Sequence, residues 1–482
     1  MCVAGGAMLR LAAIDSRPGG LFQDEAAEGY DAWRILHDPG FHPLFFSDDG
    51  GREVAFGYLV ALAFRIAGDS VTTLRATAAV IGIAAVAVTP LLLHRFGRVT
   101  AVAGTAWAAG SLWLVCVSRD GFRCIAVVLV GTLALWALAA WCDEPGSRSR
   151  AVAAGALCGL GLWTYQPLKF LPLLVAVWML WLRRSDRAAL TGLLRHARAA
   201  VLGYAAVAAP IAYAAVSDPT AYFGRGLSVS AANPDQGGLS GLPAHALRTI
   251  GMFGVLGDPN ARHDVDAAAL LPPAIALLAA LGAWRAWRRR GGDPVMRLVI
   301  AGVPVFLAPA MVATEGGSPH GLRLLGIAPV CAVLVGLGAA EVVERLQGLG
   351  AAAAGAGAVG LAALLGGTGA AAASAYFTRP AAALDGPYSA ALVALGDAAL
   401  AHPGSVVVAS GYDALTVEFV VRGTATRIVE PGTRLEGLAA GTSVVASTRG
   451  ELGDALGAAA GARAGPVARD TTGAPVVWVT TP

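Results

Sequence analysis

The sequence predicts an α-helical polytopic membrane protein of about 10–11 transmembrane helices, with a small α/β extracytoplasmic domain at its C-terminus. Three observations carry this prediction. Of the 482 residues, 56% are hydrophobic and 14% charged, and mean hydropathy is +0.63; soluble domains carry about 25% charged residues. Apolar runs of membrane-spanning length recur between residues 72 and 375. Beyond residue 380 the apolar runs shorten to strand length and alternate with Gly, Pro and Asp turns.

The long runs fall at 72–93, 99–117, 122–141, 151–165, 167–182, 199–216, 268–284, 298–313, 322–340 and 351–375. Tyr165-Gln166-Pro167 interrupts the fourth and fifth, which also read as one long broken element. The last run is nearly pure Ala and Gly, a composition that suits a tether as well as a helix. Arginines collect in alternate loops: Arg95 and Arg98; Arg148 and Arg150; Arg183, Arg184, Arg187, Arg195 and Arg198; Arg285, Arg288, Arg289, Arg290 and Arg297; then Arg345. Basic loops stay on the cytoplasmic side. That orientation puts a first outer loop (15–70) and a large outer loop (217–267) outside the cytoplasm. The expected location is the inner (plasma) membrane, multi-pass, with the active face extracytoplasmic.

Residues 1–376 then form the multi-span domain and 377–482 a small soluble extracytoplasmic α/β domain. In the latter, Ser405–Ser410, Leu415–Val421, Thr442–Ser447 and Pro475–Thr480 read as strands and Tyr388–Ala401 as a helix. Met1–Leu21 holds neither a spanning stretch nor a signal peptide. The expectation is therefore a start site placed too late, with one more natural helix ahead of Arg10, in preference to an exported short tail.

Charge and cysteine usage exclude several classes. The net charge is +3, with no basic stripe interleaved with aromatics, so nucleic acid is not a partner. Cys2, Cys116, Cys124, Cys142, Cys158 and Cys331 show no CxxC or zinc spacing and read as small buried hydrophobes. The C-terminal region shows no nucleotide-binding glycine loop and no catalytic triad. The 62 glycines and heavy alanine load fit a GC-rich genome as well as a structural choice, and the same bias leaves Lys169 as the sole lysine.

Polar residues gather in four outer clusters. Gln23 to Glu53 holds Asp24, Glu25, Glu28, Tyr30, Asp31, His42 and Glu53; SRDGFR holds Arg119, Asp120 and Arg123. WTYQPLKF holds Tyr165, Gln166 and Lys169, and EGGSPHGLR holds Glu315, His320 and Arg323. Adjacent carboxylates are costly to dehydrate beside a membrane, so Asp24 and Glu25 mark a functional site, with a catalytic role for one of them. Phe41, Leu44, Phe45 and Phe46 follow, a stretch suited to lying on lipid. Arginine or lysine beside carboxylates suits an anionic head group, because guanidinium grips phosphate oxygens in pairs. Arg123, Arg323 and Lys169 also suit snorkelling to the interface, and His320 a hydrogen-bonded loop position. A metal site from Asp24, Glu25 and His320 lacks paired histidine spacing. No metal ligands are assigned, and no cofactor is either, although a divalent cation stays open.

GLFQDEAAEGYDAWRIL, then PLFF and GREVAFGYLVALAFRIAGDSVTTLRATAAVIG, resembles the N-terminal half of bacterial membrane glycosyltransferases of the GT-C superfamily. Within it, the sequence is similar to the family 39-like group of protein O-mannosyltransferases and aminoarabinose transferases. SRDGFR, GLGLWTYQPLKFLP and SPHGLRLLGIAP follow in the same order, and the resemblance covers roughly residues 10–340. It implies an enzyme that takes a sugar from a polyprenyl-phosphate carrier and passes it to a protein, lipid or glycan acceptor outside the cytoplasm. It implies Asp24 as candidate base, and Asp120 stands where some members carry a second acidic residue. The expected first span of the family is missing here.

The chemistry expected is glycosyl transfer through an oxocarbenium-like transition state, with inversion. Asp24, then Glu25 or Asp120, takes the acceptor proton. Arg123, Arg323, Arg119 or Lys169 stabilises the departing phosphate, with Tyr165 and His320 lining the site. The main alternative is a transporter or flippase for a lipid-linked or anionic solute, which midplane charges and internal repeats would favour. Here the ionisable residues lie at the outer ends of the spans. A third reading is a non-catalytic assembly partner.

Overall fold

The computed structural model describes residues 1–47, 51–231, 233, 239–313 and 319–481. Its first elements are a short apolar helix, α1 (Cys2–Leu11), and two further helices, α2 (Gln23–His37) and α3 (Ala55–Ala67). α4 (Val71–Leu93) follows, then α5 (Arg98–Gly110) and α6 (Leu112–Arg119), bent by 52° where one run was expected. α7 (Ala126–Asp143) precedes α8 (Arg148–Leu160) and α9 (Leu171–Ser185); between these two, the Tyr165-Gln166-Pro167 break is bridged by 3-10 turns. After α10 (Arg187–Leu194) and α11 (Ala197–Ser217), the 217–267 loop contains α12 (Pro219–Ser228) and α13 (Leu242–Gly251). α14 (Pro273–Arg289), α15 (Pro294–Val312), α16 (Ala328–Gln347) and α17 (Ala351–Thr378) complete the helical part.

The chain is a polytopic helical membrane protein. Among the described residues, six helices are long and apolar enough to cross a bilayer, or seven with the bent pair counted as one. The ten expected runs exceed this because α8, α9 and α14 have only 13, 15 and 17 residues. The Ala/Gly run is helical over 28 residues, although its side chains are mostly exposed at the edge of the bundle. α16 is the central helix, buried along almost its whole length.

Lipid offers helices no hydrophobic reason to associate, so close backbone packing carries the contact. Gly282 of α14 and Gly338 of α16 face each other so tightly that a Cβ on either would lie 1.8 Å from the Leu334 carbonyl oxygen or 1.9 Å from that of Leu278. Gly155 of α8 and Gly203 of α11 repeat the arrangement. These glycines answer a packing need as well as a base-composition bias.

Two buried arginines repair helix ends. The bend after Gly110 strips the last carbonyls of α5 of their helical donors. Arg10 from α1 donates to Ala108 O and Ala109 O at 3.2 and 3.0 Å. In return Arg119, at the end of α6, donates to the carbonyls of Leu9, Arg10, Ala13 and Arg17 at the end of α1.

The C-terminal domain is built on a five-stranded sheet of order β2-β1-β3-β5-β4, with β1 (Val406–Val408), β2 (Arg427–Val429), β3 (Val444–Ala446), β4 (Gly465–Arg469) and β5 (Pro475–Thr480). β1 is parallel to β2 and β3, while β5 runs antiparallel to β3 and β4. Its helices are α18 (Ala382–Asp385), α19 (Ala390–Leu400), α20 (Gly411–Val420), α21 (Arg449–Leu456) and α22 (Ala458–Arg463). Alternation along the strands sends Val407, Val445 and Val477 to a core with α19 and α20, and Val406, Val408 and Val444 to a core with α21.

Leu415–Val421, expected as a strand, is helical. It forms the crossover between parallel β1 and β2 and is buried on two sides, Val417 against the sheet and Phe419 against the membrane part. A short apolar run buried on both sides carries no period that separates helix from strand.

Candidate functional site

The site is assembled around the first turn of α2, where Asp24 and Glu25 lie beside the positive end of the helix dipole. The two carboxylates point to different surroundings. Glu25 is buried, paired with Arg75 of α4 at 2.7 Å and accepting the Gly121 amide at 2.6 Å. Arg75 also donates to Gly20 O at 3.0 Å, so this pair fixes the approach to α2 against the 119–123 turn. Asp24 is half-buried and accepts a 2.6 Å hydrogen bond from the Tyr412 hydroxyl of α20.

Asp24 lines a cavity of about 350 Å³ together with Arg123, Tyr165, His263, His320 and Arg323. Arg262 and Tyr412 also border it. Behind Asp24 a small void touches Glu25 and Asp120. Asp120 is buried and accepts a 2.6 Å hydrogen bond from Tyr388. Burial and the neighbouring Glu25 carboxylate push Asp120 up to about 7, against the pull of Tyr388, Arg262 and Arg75.

Beneath the cavity a charge network is matched. Arg123 binds Glu28 at 2.6 Å and Glu53 at 3.0 Å, Lys169 binds Glu53 at 2.9 Å, and Arg52 binds Asp31. Burial alone would raise Glu53, but Lys169 and Arg123 outweigh it and hold its carboxyl below the usual range. Arg323 donates to Ala313 O at 2.7 Å from the cavity wall.

On the same wall, Asp258 and His263 meet at 2.9 Å, and the rings of His263 and His320 are 5.0 Å apart. Burial holds both histidines below their usual value, partly offset at His263 by Asp258. Asp258, His263 and His320 are the residues whose chemistry suits a metal.

No protein-family profile matches the sequence, and no curated protein matches it either. Solved structures do. Over 99% of its length the chain is similar to ArnT from Cupriavidus metallidurans in the apo state, at 14% identity and a TM-score of 0.63, covering 97% of that chain. The likeness to ArnT from the same organism bound to undecaprenyl phosphate has 13% identity and a TM-score of 0.66, with the same coverage. The chain has the fold of ArnT. At this identity the ArnT likeness is one of architecture, and residue roles rest on this chain's own geometry.

Within that ArnT-like architecture, the residues expected from sequence sort into three places. Asp24, Arg123, Tyr165, His320 and Arg323 share the cavity. Glu25 and Asp120 border the void behind it. Arg119 and Lys169 are engaged elsewhere, Arg119 with four backbone carbonyls and Lys169 with Glu53 and the Tyr222 ring. Glu315 lies outside the described residues. The aromatic stretch after α2 packs on protein more than expected: Phe46 is buried, Phe41 lies under Arg34, and Phe45 meets Tyr222.

Sequence reasoning missed Asp258, Arg262, His263 and Tyr412. The dense polar run DPNARHD at 258–264 is a signal for the first three. Tyr412 carried none. A larger groove of about 790 Å³ between α1, α5, α16 and α17 is lined mainly by apolar residues, many of them Ala and Gly.

Proposed function

We propose that the chain is an integral-membrane glycosyltransferase, moving a sugar from a polyprenyl-phosphate-linked donor to an extracytoplasmic acceptor. It sits in the plasma membrane with the cavity and the C-terminal domain outside the cytoplasm. The observation that carries this reading is a cavity lined by both a carboxylate residue, Asp24, and a guanidinium residue, Arg323. The ArnT fold, seen in one relative with undecaprenyl phosphate bound, supports a lipid phosphate as the anionic group.

The acceptor oxygen attacks the anomeric carbon as its proton passes to Asp24. The bond from that carbon to the phosphate oxygen breaks, and polyprenyl phosphate leaves with the electron pair. Attack and departure on opposite faces invert the anomeric centre. Charge builds on the phosphate, where Arg323 holds it through paired N–H donors and Arg123 assists. Arg123 already donates Nε to Glu53 and Nη1 to Glu28, so Arg323 carries the paired contact and Arg123 adds only its remaining donor from a fixed position. Glu25 acts from behind, tying α2 to Arg75 and Gly121.

The test is sugar release from a panel of radiolabelled polyprenyl-phosphate sugars by membranes containing the full chain. Asp24→Asn is expected to lower transfer by about 100-fold or more while leaving donor binding in place. Near-full transfer by folded Asp24→Asn removes Asp24 as base. No release from any donor by folded wild-type protein favours a transporter.

A further inference from the structure

We infer that Tyr412, on the C-terminal domain, is a positioning residue for Asp24: its hydroxyl fixes the plane of the carboxylate that takes the acceptor proton. The inference rests on glycosyl transfer with Asp24 as base, and it makes the C-terminal domain a working part of the reaction site.

Four consecutive residues at the start of α2 each meet α20. Leu21 O accepts from Thr416 Oγ1 at 3.2 Å, and the Phe22 ring meets the Tyr412 ring edge-on, with centroids 6.1 Å apart. Gln23 Nε2 donates to Asp413 at 2.8 Å, and Asp24 Oδ1 accepts from the Tyr412 hydroxyl at 2.6 Å. The Arg262 guanidinium covers the Phe22 ring at 3.2 Å, so the ring against which Tyr412 packs is itself held. Only Ala409 and Ser410 separate β1 from α20, so the sheet sets where the first turn of α20 lies, and Tyr412 with it. Tyr412 and Asp24 both line the cavity.

A general base must keep one oxygen within reach of the hydroxyl it deprotonates. The terminal torsion of aspartate is broad, so a carboxylate without a fixed partner samples many planes. Among the described residues, Tyr412 is the one side chain that donates a hydrogen bond to Asp24. With Oδ1 engaged, Oδ2 is left to receive the acceptor proton. The Tyr412 hydroxyl keeps its own proton and donates to Oδ1 before and after transfer. Glu25, next in sequence, is fixed by Arg75 and the Gly121 amide, both within the helical part. Of the adjacent pair, the base alone takes its orientation from the second domain.

The test follows sugar release by membranes holding the full chain, from whichever of the radiolabelled polyprenyl-phosphate sugars the wild type uses fastest. Tyr412→Phe keeps the ring against Phe22 and removes only the hydroxyl. It is expected to lower kcat by about tenfold and to leave the donor KM unchanged. In the Asp24→Asn background the same change is expected to cost less than about twofold, because a hydroxyl that acts through the base has nothing left to position. Loosened docking would instead lower transfer by the same factor in both backgrounds, so the cycle decides even where Tyr412→Phe lowers the melting temperature. Unchanged kcat in Tyr412→Phe, or an equal loss in both backgrounds, overturns the inference and leaves glycosyl transfer standing. Release from no donor by folded wild-type protein overturns both.

Discussion

Asp120 is a carboxyl group kept half-protonated near neutrality, because burial and Glu25 both disfavour its charge. A carboxyl whose folded value is raised binds protons more tightly folded than unfolded. Its contribution to stability is therefore fullest below about pH 4 and is lost as pH rises towards 7. Asp120→Asn should flatten the fall in thermal stability between about pH 4 and 7, by on the order of a few kcal/mol, as read from unfolding curves in detergent. Asp264, also pushed up to about 7 by burial, keeps part of the slope in the variant. At this scale the sequence was legible where a polar group interrupts an apolar context, as with Asp24, Arg123 and Arg323. It was not legible where pairing decides the role. Glu25 and Arg119 are bound to Arg75 and to the carbonyls at and after the end of α1, partners that no local pattern announces.

At the scale of elements, glycine pairs set how closely the helices cross. Gly338→Leu should drive α16 off α14, since even a Cβ meets the Leu278 carbonyl oxygen at 1.9 Å. The expected loss is at least the 1–3 kcal/mol typical of overpacking, roughly, measured as a lowered melting temperature. Gly367→Leu, with nothing within 4 Å of a Cβ, should leave it unchanged. Hydropathy located α4, α7, α11 and α15–α17 because length and apolar content suffice for them. The bend at Gly110–Ser111 was hidden, because the arginine that repairs it lies in another helix. α20 was misread as a strand for a related reason: its second buried face exists through contact with α2 and α3.

At the scale of the whole molecule, the C-terminal domain is held to the start of α2. Gln23 Nε2 donates to Asp413 at 2.8 Å, Thr416 Oγ1 to Leu21 O at 3.2 Å, and Phe419 fills the space above Gly29. Phe419→Ala should loosen the C-terminal domain from α2 by about 3–5 kcal/mol. Limited proteolysis between residues 379 and 390 should become faster, and transfer should fall with it, while the helical part keeps its melting temperature. The two-part architecture was legible from the change in run length near residue 380. The docking of one part on the other was not, because it depends on single contacts between distant residues. Those contacts have a consequence in time. Asp24 and Tyr412 stand 388 residues apart, so the wall of the cavity cannot close until all but the last 70 residues have been made. A chain that stops short of Tyr412 carries the Asp24 carboxylate in an open groove, and the cavity is among the late parts of the protein to be finished.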